Sequence, residues 1–269
     1  MRTLLTTIAL GLVLVVYTGC GGNEDDNSIN LFSIQDDINL GQQLRDEVLA
    51  NPGEYGPVLP ENQYPDAYGH LRRIRDEILN SGEVFYRQDF AWETYIIQDD
   101  STLNAFAAPG GYIFVYTGLI KFLDNEDDFA GVLAHEIAHA DRRHSTDMLT
   151  EAYGLQVALE VALGNASQST ISQLGQGLLS LGFSRRRETE ADEFSVNYLC
   201  QTEYAANGAA GFFQKLLDLG AAGGTPEFLS THPSPDNRVE AINTQTNDQN
   251  CDTDPNPNAM WESFQNSLP

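Results

Sequence analysis

Lysine is almost missing from this chain: Lys121 and Lys215 are the only two in 269 residues. Arginine does not make up the deficit, since Lys and Arg together number 14 against 39 Asp and Glu, a formal net charge of -25. A field of that sign repels phosphate backbones and argues against nucleic acid as a partner. The acidic, lysine-poor composition fits a surface adapted to high salt, and equally the acidic drift of a secreted protein. Repeats and low-complexity tracts are absent too. Beyond the first 17 residues no apolar run reaches the ~20 residues that a membrane-spanning helix needs, so no later segment reads as a span. Cysteine is scarce, at three.

The first cysteine closes an amino-terminal address. Met1-Arg2 is a short positive region, Leu4 to Tyr17 is apolar and uncharged, and Thr18-Gly19-Cys20 follows. That is the layout of a secretory signal. Small residues directly before a cysteine also match the bacterial lipobox, with Tyr17 departing from its usual leucine. Cys20 is therefore the expected lipidation site, residues 1–19 the signal peptide, and residues 20–33 a polar tether. Gly21, and not Asp, follows Cys20, which in a Gram-negative cell directs a lipoprotein to the outer membrane, facing the periplasm. Cys200 and Cys251 remain, and an exported chain permits them to pair. A Cys200–Cys251 disulfide tying a polar tail (246–269) to the domain (34–245) is expected; two separate buried thiols is the alternative.

Helical periodicity runs from about Ile34 to the break at Asn51-Pro52-Gly53, and again from about Pro65 to Leu79. Aromatic and β-branched residues then predict strands at Val84 to Phe90, Trp92 to Ile97, Leu103 to Ala107 and Tyr112 to Tyr116. From there helices dominate: Leu119 to Leu123, Glu126 to about His144, Leu149 to Leu163, Ile171 to Phe183, Arg185 to Leu199 and Gly208 to Leu219.

Within the helix from Glu126 lies Ala134-His135-Glu136-Ile137-Ala138-His139, an HExxH sequence. Residues four apart are separated by about 40° around a helix, so both imidazoles can reach one ion, and zinc suits neutral imidazole nitrogens. Zinc with an open position makes water acidic near neutral pH, and Glu136 is placed to take the proton and pass it to a leaving amine. A third ligand is required. Ser145, not His, stands ten positions after His135, which rules out the metzincin solution; His144 on a straight helix points about 180° away and reads as a cap or surface histidine. A carboxylate from another helix remains. Glu188 and Asp192 share one helical face, with Glu190 about 200° from Glu188. One of the pair can bind zinc while the other orients a ligand histidine.

Ser184, Arg185, Glu188, Ala191 and Asp192 form an S-R-x-x-E-x-x-A-D pattern that, after HExxH, resembles the HtpX-like and CaaX-protease zinc metallopeptidases (peptidase family M-forty-eight, of gluzincin type). Asn104 to Val115 resembles the family's strand and turn before the zinc helix, and His232-Pro233 through Arg238 its late His-Pro…Arg motif. The likeness runs from about Ile34 to about Asn243. It implies zinc on His135, His139 and Glu188, one ion per chain, with Asp192 in support and Glu136 as base. It also implies an edge strand (Asn104, Ala105, Phe106) that takes up substrate backbone. His232 would stabilise the oxyanion or act as a fourth, silencing ligand. The membrane helices of the HtpX and CaaX branches are missing.

The expected fold is accordingly α+β and zincin-like, mostly helical, with a small mixed sheet over the HExxH helix. The expected activity is zinc-dependent endopeptidase action on unfolded or misassembled envelope proteins. The rival is a zinc-stabilised chaperone or assembly lipoprotein with latent peptidase activity.

Overall fold

The computed structural model describes residues 30–221, 228–233 and 237–269, so Cys20 and the signal lie outside the described residues. Twelve helices are described: α1 (Ile34–Ala50), α2 (Pro52–Tyr55), α3 (Pro65–Leu79), α4 (Thr117–Phe122), α5 (Glu126–Asp141), α6 (His144–Ala162), α7 (Gln168–Ser180), α8 (Arg185–Leu199), α9 (Gly208–Ala221), α10 (Phe228–Thr231), α11 (Arg238–Gln249) and α12 (Ala259–Asn266). Three strands, β1 (Glu93–Ile97), β2 (Ala105–Ala108) and β3 (Tyr112–Tyr116), form a mixed sheet in the order β1-β3-β2. β3 runs parallel to β1 and antiparallel to β2, as expected of a small mixed sheet in a mostly helical domain. None of the described helices is long and apolar enough to cross a membrane.

The sheet separates two hydrophobic cores, which is why its strands are apolar on both faces. Ile113 and Val115 of β3, with Ala105 and Ala107 of β2, face the core that holds α3, α5, α8 and α9. Tyr112, Phe114, Tyr116 and Phe106 face the other, built on α1, α6 and α7. A tight turn at Pro109–Gly111 joins β2 to β3 and needs left-handed backbone at Gly110 (φ 72°) and Gly111 (φ 84°), where a side chain would be strained.

Two stretches differ from their expected form. Val84 to Phe90 is a series of turns, not a strand, because its backbone is used elsewhere: the amides of Phe85 and Tyr86 donate to the buried Asp141 carboxylate at 3.0 and 2.7 Å. The segment 246–269, read as a polar tail, contributes Trp261 and Phe264 to the core, their ring centroids 5.3 and 5.6 Å from that of Phe129 in α5. Cys200 and Cys251 are joined by a disulfide with a Cα–Cα distance of 5.0 Å. Residues 30–33, at the end of the stretch read as tether, lie against the domain, with Phe32 buried and Asn30 donating to Thr146.

Candidate metal centre

α5 is specified at its start and packed on every side. Asn125 caps it by accepting from the Asp128 amide, and three acidic residues in the first turn complement the helix dipole. All residues from Phe129 to Asp141 are buried. Small residues make that possible: a Cβ on Gly131 would run into the backbone of Gly208 and Ala209 in α9. α8 is capped by Ser184, whose side chain accepts from the Arg187 amide, and this sets Glu188 one turn into the helix, facing α5.

α5 supplies His135, Glu136 and His139, α8 supplies Glu188 and Asp192, the residue after α10 supplies His232, and α11 supplies Arg238. One ligating atom from each of His135, His139, Glu188 and His232 lies within 4.8 Å of the others, and all four residues are buried. His139 Nε2 is 2.9 Å from His135 Nε2 and 3.4 Å from Glu188 Oε1. His232 Nδ1 is 3.1 Å from Glu188 Oε1 and 3.4 Å from His135 Nε2. Glu136 flanks the group; neither of its carboxylate oxygens has a hydrogen-bond partner among the described residues, and Oε1 lies 3.4 Å from His232 Nε2.

A second ring of groups holds these donors. Asp192 Oδ1 accepts from His135 Nδ1 at 3.0 Å. Arg238 grips Asp192 with two hydrogen bonds of 2.6 and 2.8 Å, and its Nη2 also reaches Glu188 Oε2 at 3.0 Å. The guanidinium lies over the Phe213 ring, 3.6 Å from its centroid. Phe183 stacks on His139 at 4.0 Å and Phe228 on His232 at 4.2 Å, so aromatic rings roof the site.

The electrostatics call for a cation. Three buried carboxylates, on Glu136, Glu188 and Asp192, face one buried guanidinium. Unbalanced charge is costly in such an interior, and a divalent ion would balance it. Burial disfavours a charged His135, yet Asp192 and Glu188 outweigh it and raise its pKa to about 9, so in the absence of metal this imidazole is a second cation beside Arg238, and a bound ion would take the place of its proton. Burial also opposes ionisation of Glu188, but His232 and the hydrogen bonds from His135 and His139 hold it well below the usual carboxylate range. Burial and the neighbouring His135 keep His139 well below the ordinary imidazole value, in the neutral form a metal requires. Burial pushes the Glu136 carboxyl above the usual carboxylate value. Imidazole nitrogens and one carboxylate converging at a single point fit one zinc ion.

The site contains more than the sequence suggested. His144 is neither cap nor surface: it is buried, with Nδ1 3.0 Å from His139 Nδ1. The helix does not run straight to His144: α5 stops at Asp141 and Arg143 takes left-handed backbone (φ 62°, ψ 26°), which swings His144 back over the site. Arg143 is held there by hydrogen bonds to Asp37 and to the Phe32 carbonyl. Arg238 was visible only as the end of a motif, and its partners lie 46 and 50 positions earlier, at Asp192 and Glu188.

β2 is an edge of the sheet and packs on α5. The Tyr116 amide donates to the Asn104 carbonyl, so Asn104 and Phe106 point their backbone groups inward to β3, and Ala105 and Ala107 point theirs to the outer edge of a strand that is buried along its length. Two of the outward groups are already engaged: the Ala105 amide by Asn104 Oδ1 and the Ala107 carbonyl by Ser145 Oγ. The Phe106 ring is buried and stacked on Phe114 at 4.8 Å, away from the edge.

The model of peptidase family M48 matches residues 66–246 of this chain. Similar proteins include the mitochondrial metalloendopeptidase OMA1 of Schizosaccharomyces pombe, 34% identical over 218 residues, or 79% of this chain and 62% of that protein. The beta-barrel assembly-enhancing protease of Yersinia pestis is 30% identical over 248 residues, or 86% of this chain and 47% of that one. The metalloprotease YcaL of Escherichia coli is 32% identical over 154 residues, or 55% and 60%. The chain thus spans between 47% and 62% of the length of these relatives.

Proposed function

The chain belongs to peptidase family M48, and from that premise we propose that it is a zinc-dependent endopeptidase exported to the cell envelope, where it hydrolyses unfolded or misassembled proteins. The observation that carries the reading is the buried convergence of His135, His139, Glu188 and His232 beside a Glu136 carboxylate without a hydrogen-bond partner. His135, His139 and Glu188 hold the ion, and Asp192 orients His135. When bound, zinc supplies Lewis acidity toward water and a peptide carbonyl. Glu136 accepts a proton from water and delivers it to the leaving amine. Substrate backbone adds to the outer edge of β2 at Ala105 and Ala107, displacing the Asn104 and Ser145 side chains from that edge. Export with lipidation at Cys20 is supported by the amino-terminal sequence, and an envelope setting by the Yersinia relative's name.

The second reading, a latent peptidase or assembly factor, is favoured by one observation. His135, Glu136, His139, Glu188 and His232 all have 0% relative exposure. With His232 among the four converging donors, it would act as a fourth ligand and leave the ion no open position for water or substrate. The test is zinc content and casein hydrolysis by the wild-type chain, Glu136→Gln and Glu188→Ala. Cleavage by wild type, a silent Glu136→Gln that keeps its zinc, and loss of metal in Glu188→Ala would support the peptidase. Zinc without cleavage would favour latency, with release expected from His232→Ala. Absence of zinc from the wild type would overturn both.

A further inference from the structure

His139 offers its two ring nitrogens to different neighbours. Nε2 faces His135 and Glu188, inside the group of four. Nδ1 faces outward, 3.0 Å from His144 Nδ1. If Nε2 is to give its lone pair to a metal, the hydrogen of neutral His139 must be on Nδ1. His144 Nδ1 is then the acceptor, and its own hydrogen belongs on Nε2. That nitrogen lies 3.5 Å from Glu190 Oε2, while Glu190 Oε1 takes a 3.0 Å hydrogen bond from Arg142 Nε. Arg142 thus holds Glu190 within ion-pair reach of His144 Nε2, which has no hydrogen-bond partner of its own among the described residues, while His144 Nδ1 meets His139.

We infer that His144 is a positioning residue for the metal: it sets the tautomer and orientation of His139, with Glu190 anchoring it from behind. The two ligand histidines then use different supports. The outer nitrogen of His135 leans directly on the Asp192 carboxylate, and the outer nitrogen of His139 approaches a carboxylate only through a second imidazole. The Phe183 ring stacked on His139 fixes the ring plane but accepts no hydrogen bond, so it cannot select the tautomer. The left-handed backbone at Arg143 gains a purpose on this view, since it is what turns His144 toward α5. Left-handed backbone is unfavourable for a non-glycine residue, and Arg143 is held in it by its ion pair with Asp37.

The inference rests on the zinc reading of the site, so the first measurement is wild-type affinity; if the wild-type chain binds no zinc, that reading has failed before this one is tested. Full-length protein is stripped of metal and titrated with Zn2+ against a chromophoric chelator, beside His144→Phe, His144→Asn and Glu190→Gln. Phe keeps a ring but no acceptor; Asn places an oxygen near the position of Nδ1. We expect His144→Phe to lose about 10- to 100-fold in affinity, His144→Asn to keep most of it, and Glu190→Gln to lose several-fold. The Co2+ absorption spectrum should shift in His144→Phe and Glu190→Gln. A packing role predicts the opposite order, with Phe tolerated better than Asn, and that order would overturn the proposal. Should His144→Phe fail to fold, Glu190→Gln still decides: its side chain is only partly buried, and affinity unchanged within about twofold there would refute the relay.

Discussion

Asp128 sits in the first turn of α5 with its carboxylate pressed against Gly211 of α9, and burial pushes its pKa up to about 6. The folded carboxyl keeps its proton to about pH 6, whereas the unfolded one releases it near the ordinary 3.8. The folded state therefore binds more protons between those values, and stability falls as pH rises through that window. We expect Asp128→Asn to match the wild type at pH 4 and to exceed it by about 1–3 kcal/mol at pH 7.5, read from denaturant melts at both pH values. Residues differ sharply in how far their sequence betrays them. His135, Glu136 and His139 carry their relation in their spacing, because four residues along a helix means one face. His144 has the same composition cue and the opposite outcome, because one left-handed residue at position 143 resets the angle. Arg238 is marked only as the end of the His-Pro…Arg motif: its meaning is a charge balance among groups that only the folded chain brings together.

Helices α5 and α9 approach so closely that there is no room for a methyl group at Gly131. Gly131→Ala should raise intrinsic helix propensity yet destabilise the protein, by about 2–3 kcal/mol or more, because backbone must move and not a pliable side chain. A thermal melt gives the sign directly: an increase in Tm would mean that the helices separate at little cost. Most elements were legible for the reason α3 was. Its apolar residues at Leu71, Ile74 and Ile78 recur at helical spacing and are all fully buried. β3 was found at its observed bounds, Tyr112–Tyr116, from its aromatic and β-branched run. Val84 to Phe90 misled because it has strand composition, while Asp141, more than 50 positions later, takes its amides. Helices α11 and α12 went unassigned for a related reason. Their polar sequence yields few buried residues, and those few, such as Trp261 and Phe264, find partners only across the fold.

At the level of the molecule, the Cys200–Cys251 bond closes the end of α8, which carries Glu188 and Asp192, onto the end of α11, which carries Arg238. The two helices that clasp through the Asp192–Arg238 pair are thus stapled at their far ends. With a sequence separation of 51 between the cysteines, the bond should be worth about 3–4 kcal/mol. We expect a reductant to lower the unfolding free energy of the wild type by that amount, read as a fall in its denaturation midpoint, and to leave the Cys200→Ser/Cys251→Ser variant unmoved; equal midpoints for the two proteins without reductant would count against it. The opposite end of the chain is fastened differently. Asn30 holds Thr146, and Arg143 holds both the Phe32 carbonyl and Asp37, so the start of the described chain is stitched to the bend directly after the HExxH helix. Mechanically this is a load path. Tension on the chain ahead of residue 30 would be borne by those bonds before any other part of the domain felt it, and the bend at Arg143 would pass it to the last turn of α5, where His139 stands.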